Sequence, residues 1–504
     1  MRIVRCLSIS TASLLAAATL GQAATFTVDD FTDAVDMTPV DNVCLTAGSK
    51  CTLRAAVQQA NALAGPDTII LPAGTYTLTI TGRCEDAAAT GDLDITDDLT
   101  VTGAGAATTI IDGNGIDRVF DVWAHLNASG VTIRNGDAGA ALCPSGMPNG
   151  GGIYSAGATP GTVSVTLTDA AVINNHAAHG GGIENDVLST LTLTGVTVGG
   201  NTASVAGGGI ENEATPGATL TNVTVSSNTA GAGAGIMNDG DLTLDYVTIS
   251  GNLLDGGGDR TIRNTILASV PSDVNCSGGG ALLAEDHNLD SGNTCGFTDP
   301  SDLINTNPDL GPLQDNDGPT FTHALAAGSP AIDAGSSDCP PPVTDQRGVM
   351  RPLDGNGDGT ALCDIGAFEF QPGAVTTTTT PSVTTTTLPP ACETGPTFPS
   401  VTCLLQALVL STRAQVPSGP IQDALTAALT KAETFVARAQ TAAGQAHRRP
   451  AKTALAKAIR SLRKFDGRLR SRKAKQGVPP DVRAALQMGA DQVRVDLVTL
   501  RRSI

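Results

Sequence analysis

A chain of 504 residues with 58 glycines, 11 cysteines and only 3% aromatic residues has room for several domains, and its composition excludes a core built on large rings. The formal net charge of −19 is unevenly divided: residues 1–390 carry 11 Lys/Arg against 42 Asp/Glu, and residues 391–504 carry 19 against 7. Past the N-terminus no stretch is long and apolar enough to span a bilayer, so no transmembrane segment is expected.

The chain opens with basic Met1-Arg2-Ile3-Val4-Arg5, an apolar run to Leu20 and the small residues of Gly21-Gln22-Ala23-Ala24. Residues 1–24 therefore read as a secretory signal peptide, and the protein is expected outside a bacterial cell or on its surface. Cys6 falls within this signal. The ten cysteines that follow are an even number in an exported chain. Neighbour pairing predicts disulfides Cys44–Cys51, Cys276–Cys295, Cys339–Cys363 and Cys392–Cys403, leaving Cys84 and Cys143, although spacing cannot prove connectivity. No CxxC pair suggests zinc.

Residues 25–66 form an N-terminal region in which Cys51-Thr52-Leu53-Arg54-Ala55-Ala56-Val57-Gln58-Gln59-Ala60 has helical spacing and would cap the open end of a repeat. From 67 to 270 short apolar runs follow one another, beginning with Asp67-Thr68-Ile69-Ile70-Leu71 and passing through Val119-Phe120-Asp121-Val122. Between Asn149 and Asn252 one phrase recurs: Gly150-Gly151-Gly152-Ile153, Gly180-Gly181-Gly182-Ile183-Glu184-Asn185, Gly207-Gly208-Gly209-Ile210-Glu211-Asn212 and Gly233-Ala234-Gly235-Ile236-Met237-Asn238. Leu167, Leu193, Leu220 and Leu244 each open an alternating run and are followed eight residues later by Asn175, Asn201, Asn228 and Asn252. Those asparagines are spaced by 26, 27 and 24 residues, a solenoid period. Strict alternation rich in Thr and Val means half-buried strand. A rung of two dozen residues cannot bury its own apolar side, so rungs must stack. The expected fold is a right-handed parallel β-helix, its interior narrow enough for Ala and Ile, with the four asparagines bonded in a ladder at one corner.

Residues 271–373 are expected to finish the solenoid, and residues 374–390, rich in Thr and Pro, to be an extended linker. Residues 391–504, cut by Pro417, Pro420, Pro450 and Pro479-Pro480, predict a small basic bundle of about four helices.

Some of these residues resemble a known family. Cys51-Thr52-Leu53-Arg54-Ala55-Ala56 is similar to the signature of the CSLREA-type bacterial surface proteins. Asn316-Asp317-Gly318-Pro319-Thr320-Phe321-Thr322-His323-Ala324-Leu325, Ser329-Pro330-Ala331-Ile332-Asp333-Ala334-Gly335, Asp345-Gln346-Arg347-Gly348 and Asp364-Ile365-Gly366-Ala367-Phe368-Glu369 resemble the C-terminal part of choice-of-anchor Q proteins. The resemblance spans about residues 25 to 370 and implies an exported pectin-lyase-like β-helix at the cell surface, with no reaction attached.

Candidate chemistry is sparse. Glu184 and Glu211 occupy equivalent places in successive rungs, so their carboxylates should stack about 4.8 Å apart, raising one pKa or recruiting a cation. The plainer expectation is two solvated glutamates on an outer loop. His176 and His179 lie beside the same turn and could join Glu184 around a metal. Asp354, Asn356 and Asp358 follow the spacing of the first half of a calcium loop, with Ile365 where the closing Glu would stand and Asp364 nearby as a substitute; calcium is the one cofactor considered. His323, Asp345, Arg347, Arg351 and Asp364 are expected to form buried ion pairs clamping the end of the solenoid. Thr192, Thr194, Thr221 and Thr224 could form a flat ligand face, even for ice, but outward Thr is also simply a good strand residue, and that plainer reading is preferred.

A pectate lyase needs a strong base in a carboxylate-lined groove. The acidic part offers one lysine, Lys50, and Arg118, Arg134, Arg260 and Arg263 without a motif, and no polygalacturonase-like aspartate set is visible. The leading expectation is a non-catalytic rod for adhesion or binding to polysaccharide, held to envelope polyanions by the basic bundle. The alternative is a polysaccharide lyase or glycoside hydrolase working in the β-helix groove. Nucleic acid is not an expected partner of an exported chain whose basic part has few rings for stacking.

Overall fold

The computed structural model describes residues 23–372 except 84, 140–147, 160 and 269–273, then residues 420–444 and 447–471 with single positions between 398 and 501. The signal segment up to residue 22, Cys6, Cys84, Cys143, Cys392, Cys403 and the Thr/Pro-rich linker lie outside the described residues. The chain divides into two compact units, Met1–Thr377 and Thr378–Ile504, the boundary falling within the expected linker.

Unit one is three long parallel sheets built rung by rung. The first has ten strands, from Thr25–Thr27 and Asp67–Leu71 to Arg260–Arg263 and Leu282–Asp286. The second has seven, from Leu93–Ile95 to Leu254–Asp255, and the third ten, from Gly74–Thr77 to Leu303–Ile304. Each strand pairs in parallel with its counterpart one rung on, as in Val163–Thr168 against Ser189–Thr194. This is the arrangement of a parallel β-helix. The stack starts one strand earlier than the sequence suggests, because Thr25, Phe26 and Thr27 pair with Thr68, Ile69 and Ile70.

Alternation places Ile69, Val101, Leu126, Val165, Leu191 and Leu220 in one continuous interior. Stacking buries these apolar faces, and at roughly 25 cal/mol per Å² such burial is the main driving force for the rod. Inside, Asn175, Asn201, Asn228 and Asn252 form the expected ladder: Nδ2 of each of the first three donates to Oδ1 of the next at 3.0, 3.1 and 3.0 Å. A second ladder, not anticipated, runs from Asn185 to Asn212 to Asn238 at 2.7 Å per step.

The helix Leu53–Ala62 is started by Thr52, whose side chain accepts the Ala55 N–H, and it packs against the first rungs. Its Arg54 is 1% exposed; it pairs with Asp33 and donates to the carbonyls of Ala88, Gly91 and Asp92.

Among the described residues rungs continue as far as Leu303–Ile304, after which the chain turns back over the outer side of the third sheet. Thr197 Oγ1 donates to Phe321 O, Gln346 Nε2 donates to Thr197 Oγ1, and Ala367 N donates to Thr248 Oγ1. Of the residues expected to form ion pairs, Arg347 reaches Asp345 at 2.7 Å and Arg351 reaches Glu369 at 3.1 Å. His323 is instead hydrogen-bonded to Gly311 O and Ser226 Oγ, and Asp364 accepts from the N–H groups of Asp333 and Phe370. These contacts fasten this returning segment against the flank of the sheet. Disulfides Cys44–Cys51, Cys276–Cys295 and Cys339–Cys363 form as neighbour pairs.

In unit two the helices Pro420–Gly444 and Arg448–Leu469 lie side by side, and Arg468 donates to Ala424 O, so they run antiparallel. Leu425, Leu429, Val436, Leu455, Leu462 and Phe465 fill their core, while Arg460, Arg463 and Lys464 stay exposed. Among the described residues no helix is long and apolar enough to cross a membrane.

Candidate functional site

Two outer faces of the β-helix carry repeated polar residues. On the first sheet the outward position of each strand stacks on the next: Thr25, Thr68, Thr100, Asn127, Thr166, Thr192, Thr219, Thr243 and Thr261 are in register over nine strands. None of them is buried. Two residues further along, Thr102, Ser129, Thr168, Thr194 and Thr221 form a parallel row. Neighbouring strands lie ~4.8 Å apart and alternate residues ~6.7 Å apart, so hydroxyls and methyls repeat on a flat grid. Thr192, Thr194 and Thr221 belong to this grid as expected. Thr224 does not: it lies on the third sheet, fully buried under the returning segment, with its hydroxyl on Gln346 Oε1.

On the second sheet the outward residue of each strand is, in register, Asp94, Asp121, Tyr154, Glu184, Glu211, Met237 and Asp255. The stacking expected of Glu184 and Glu211 is therefore real. Their surroundings are not the solvated loop, since they are 1% and 3% exposed. The glycine triplets cause this. Gly180 and Gly207 have φ of +53° and +62°, and a Cβ there would stand 2.6 Å from Glu184 Oε2 and 2.4 Å from Glu211 Cβ. Only glycine lets the turn close over the carboxylates.

The histidines separate. His179 Nδ1 lies 3.0 Å from Glu211 Oε1, whose carboxylate also accepts the Gly180 N–H at 3.1 Å. His176 Nδ1 turns instead to Asp137, 2.9 Å away, and neither ring is hydrogen-bonded to Glu184. Burial, then the charges of Glu211, Glu213 and Asp186, push the Glu184 carboxyl well above the ordinary range. Its Oε2 is buried without a partner.

Among the described residues two groups of three carboxylates come within ligand reach of one another, Glu184 with Glu211 and Glu213, and Asp92 with Asp94 and Asp121. The second group was missed in the sequence. Its signal is the strand phrase itself: Leu93-Asp94-Ile95 and Phe120-Asp121-Val122 place an acid where later rungs have Ile-Glu-Asn. Arg118 attends this group, Nε 3.3 Å from Asp92 Oδ2 and Nη1 3.4 Å from Asp121 Oδ2, with its guanidinium over the Tyr154 ring. Burial pushes Asp94 up to about 7 and Asp121 up to about 6. Trp123, half exposed, stands edge-on to Tyr154, whose hydroxyl donates to Asp186 Oδ2 at 2.7 Å.

The loop considered for calcium looks different. Asp354 accepts from the N–H groups of Gly357 and Gly359, Asn356 from Asp358, and Asp358 from Thr360. Asp364 is buried and bound to the N–H groups of Asp333 and Phe370. These residues form turns, and they are not among the carboxylate groups within ligand reach.

No family model matches the chain, and no curated protein does. Among solved structures it is similar to a pectin methylesterase mutant in complex with a hexasaccharide, at 11% identity and a TM-score of 0.23, over 47% of this chain and 76% of that one. At that score the likeness bears neither on fold nor on chemistry.

Proposed function

We propose that this chain is an exported, non-catalytic β-helix that lies with its threonine face on the ordered surface of a neutral polysaccharide. The observation that carries the reading is the uninterrupted register of Thr25, Thr68, Thr100, Asn127, Thr166, Thr192, Thr219, Thr243 and Thr261, exposed or half-buried along its whole length. A grid of identical groups is matched by a surface that itself repeats, and a short soluble oligosaccharide would use only a few of its points. The disulfides suit an oxidising compartment. The basic helical unit would hold the rod to envelope polyanions.

The test incubates the full chain with insoluble cellulose and chitin and measures protein depletion alongside soluble reducing and unsaturated ends. Depletion without release, abolished by Thr192→Lys with Thr219→Lys, is the expected result. Equal depletion by that variant would overturn the face assignment, and release of sugar ends would overturn the non-catalytic reading.

A second reading is hydrolysis at Glu184 and Glu211. Two stacked carboxylates in unlike settings, one deprived of donors and one held by His179 and the Gly180 N–H, are how acid and base roles diverge. It ranks second because both side chains are covered. In it, Glu184→Gln removes any sugar release and leaves depletion intact.

A further inference from the structure

Asp92, Asp94, Asp117 and Asp121 are all buried, at 6%, 0%, 5% and 9% exposure. Arg118 reaches Asp92 and Asp121 at 3.3 and 3.4 Å, and Arg83 acts on Asp117. Neither of the two Arg118 contacts extends to Asp94, whose charged neighbours are Asp121, Glu85 and Asp86. Asp94 uses one oxygen only: Oδ2 accepts the Ala88 N–H at 2.6 Å. Its Oδ1 is buried with no hydrogen-bond partner, and so is Oδ1 of Asp121. Burying a carboxylate oxygen unpaired is strongly unfavourable, so two such oxygens in one acidic group point to something that binds them.

The spacing fits a metal ion. One oxygen from each of Asp92, Asp94 and Asp121 lies within 4.8 Å of the other two. Oxygen ligands about 2.3–2.6 Å from calcium are at most about twice that distance apart. The donors are all oxygen, with no thiolate or imidazole in the group among the described residues to favour a softer metal. We infer that Asp92, Asp94 and Asp121 form a binding site for a hard divalent cation, calcium by its donor set, that ties residues 85–92 to the first two rungs of the second sheet.

The site has a structural consequence. Residues 88–92 also hold the N-terminal helix: Arg54 donates to Ala88 O, Gly91 O and Asp92 O, and Gln58 Nε2 to Ala88 O. Asn61 Nδ2 donates to Asp94 O itself. An ion between Asp92, Asp94 and Asp121 therefore fixes the strap on which that helix leans. This inference is independent of whether the threonine face binds glycan.

The test uses the full chain, stripped with chelator and titrated with terbium while its single tryptophan is excited. Trp123 lies two residues past Asp121 and is placed to sensitise bound terbium. The expected result is saturable emission at one equivalent, displaced by calcium and weakened about tenfold or more by Asp94→Asn or Asp121→Asn, while Asp358→Asn leaves it unchanged. Circular dichroism establishes that each variant is folded. Should the aspartate variants fail to fold, calorimetry of the unmodified chain decides: Tm rises when calcium is restored to the stripped protein. Absence of saturable emission, emission that survives the Asp94→Asn, Asp121→Asn double variant, emission lost in Glu184→Gln instead, or a Tm indifferent to calcium at neutral pH would each overturn the assignment.

Discussion

The outer faces of the first and second sheets are built from the same rungs, yet they carry opposite chemistry. On the first sheet Thr192 and Thr219 face out and stay exposed; on the second, Glu184 and Glu211 occupy equally outward positions and are covered. The backbone geometry that aims the side chains is the same, period-two alternation on parallel strands. What differs is the turn beside each strand. Ahead of Ile183–Asn185 and Ile210–Asn212 the glycine triplets bring the turn down over the carboxylates, whereas nothing among the described residues folds over the threonine rows. An outward residue on a solenoid is thus a surface residue or a buried one according to its neighbouring turn. The third sheet shows the same lesson from another side, since its outward Thr197, Thr224 and Thr248 are sealed by the returning C-terminal segment.

The contrast can be sharpened by ranking substitutions. The largest loss is expected inside, where both faces share one core. Asn201 accepts from the N–H and side-chain amide of Asn175 and donates to Val172 O and Asn228 Oδ1. Asn201→Ala leaves several buried groups unpaired and should lower stability by about 3 kcal/mol in denaturant unfolding. On the covered face, Glu211→Ala removes the acceptor of the Gly180 N–H and the partner of His179, and a loss of about 2 kcal/mol is expected by the same measurement.

A third experiment reads the covered face through pH. In the folded chain the Glu184 carboxyl holds its proton to higher pH than in the unfolded chain. Between those two values the unfolded state binds fewer protons, so stability falls as pH rises above the ordinary glutamate range. Glu184→Gln should flatten that part of the stability-versus-pH curve, and an unchanged slope would place the titration elsewhere. The smallest effect belongs to the open face: Thr219→Ala should change stability by no more than about 0.5 kcal/mol. A loss as large as that of Glu211→Ala would break the distinction between the two faces.

Much of the fold was legible because the solenoid is written locally. Repeated Gly-Gly-Gly-Ile and the spaced asparagines specify a rung, and a rung can be satisfied only by another like it. The ladder from Asn175 to Asn252 followed directly, as did the stacking of Glu184 on Glu211. The Asp92, Asp94 and Asp121 group was harder to see, because Asp94 and Asp121 lie in rungs without the glycine triplet and Asp92 comes from the segment laid across them. Likewise Thr224 reads like Thr221 in the sequence, but it sits on a sheet covered by residues more than a hundred positions later.

The sequence alone determined the period, the alternation and the change from an acidic strand-rich part to a basic helical one, since each depends on residues close along the chain. Only the tertiary structure decided which outward residues are wet, which carboxylates converge, and that Arg54 and Gln346 are buried ties. Those outcomes depend on segments distant in sequence meeting over the same rung, and burial, which raises the carboxyls of Asp94, Asp121 and Glu184, exists only once they meet.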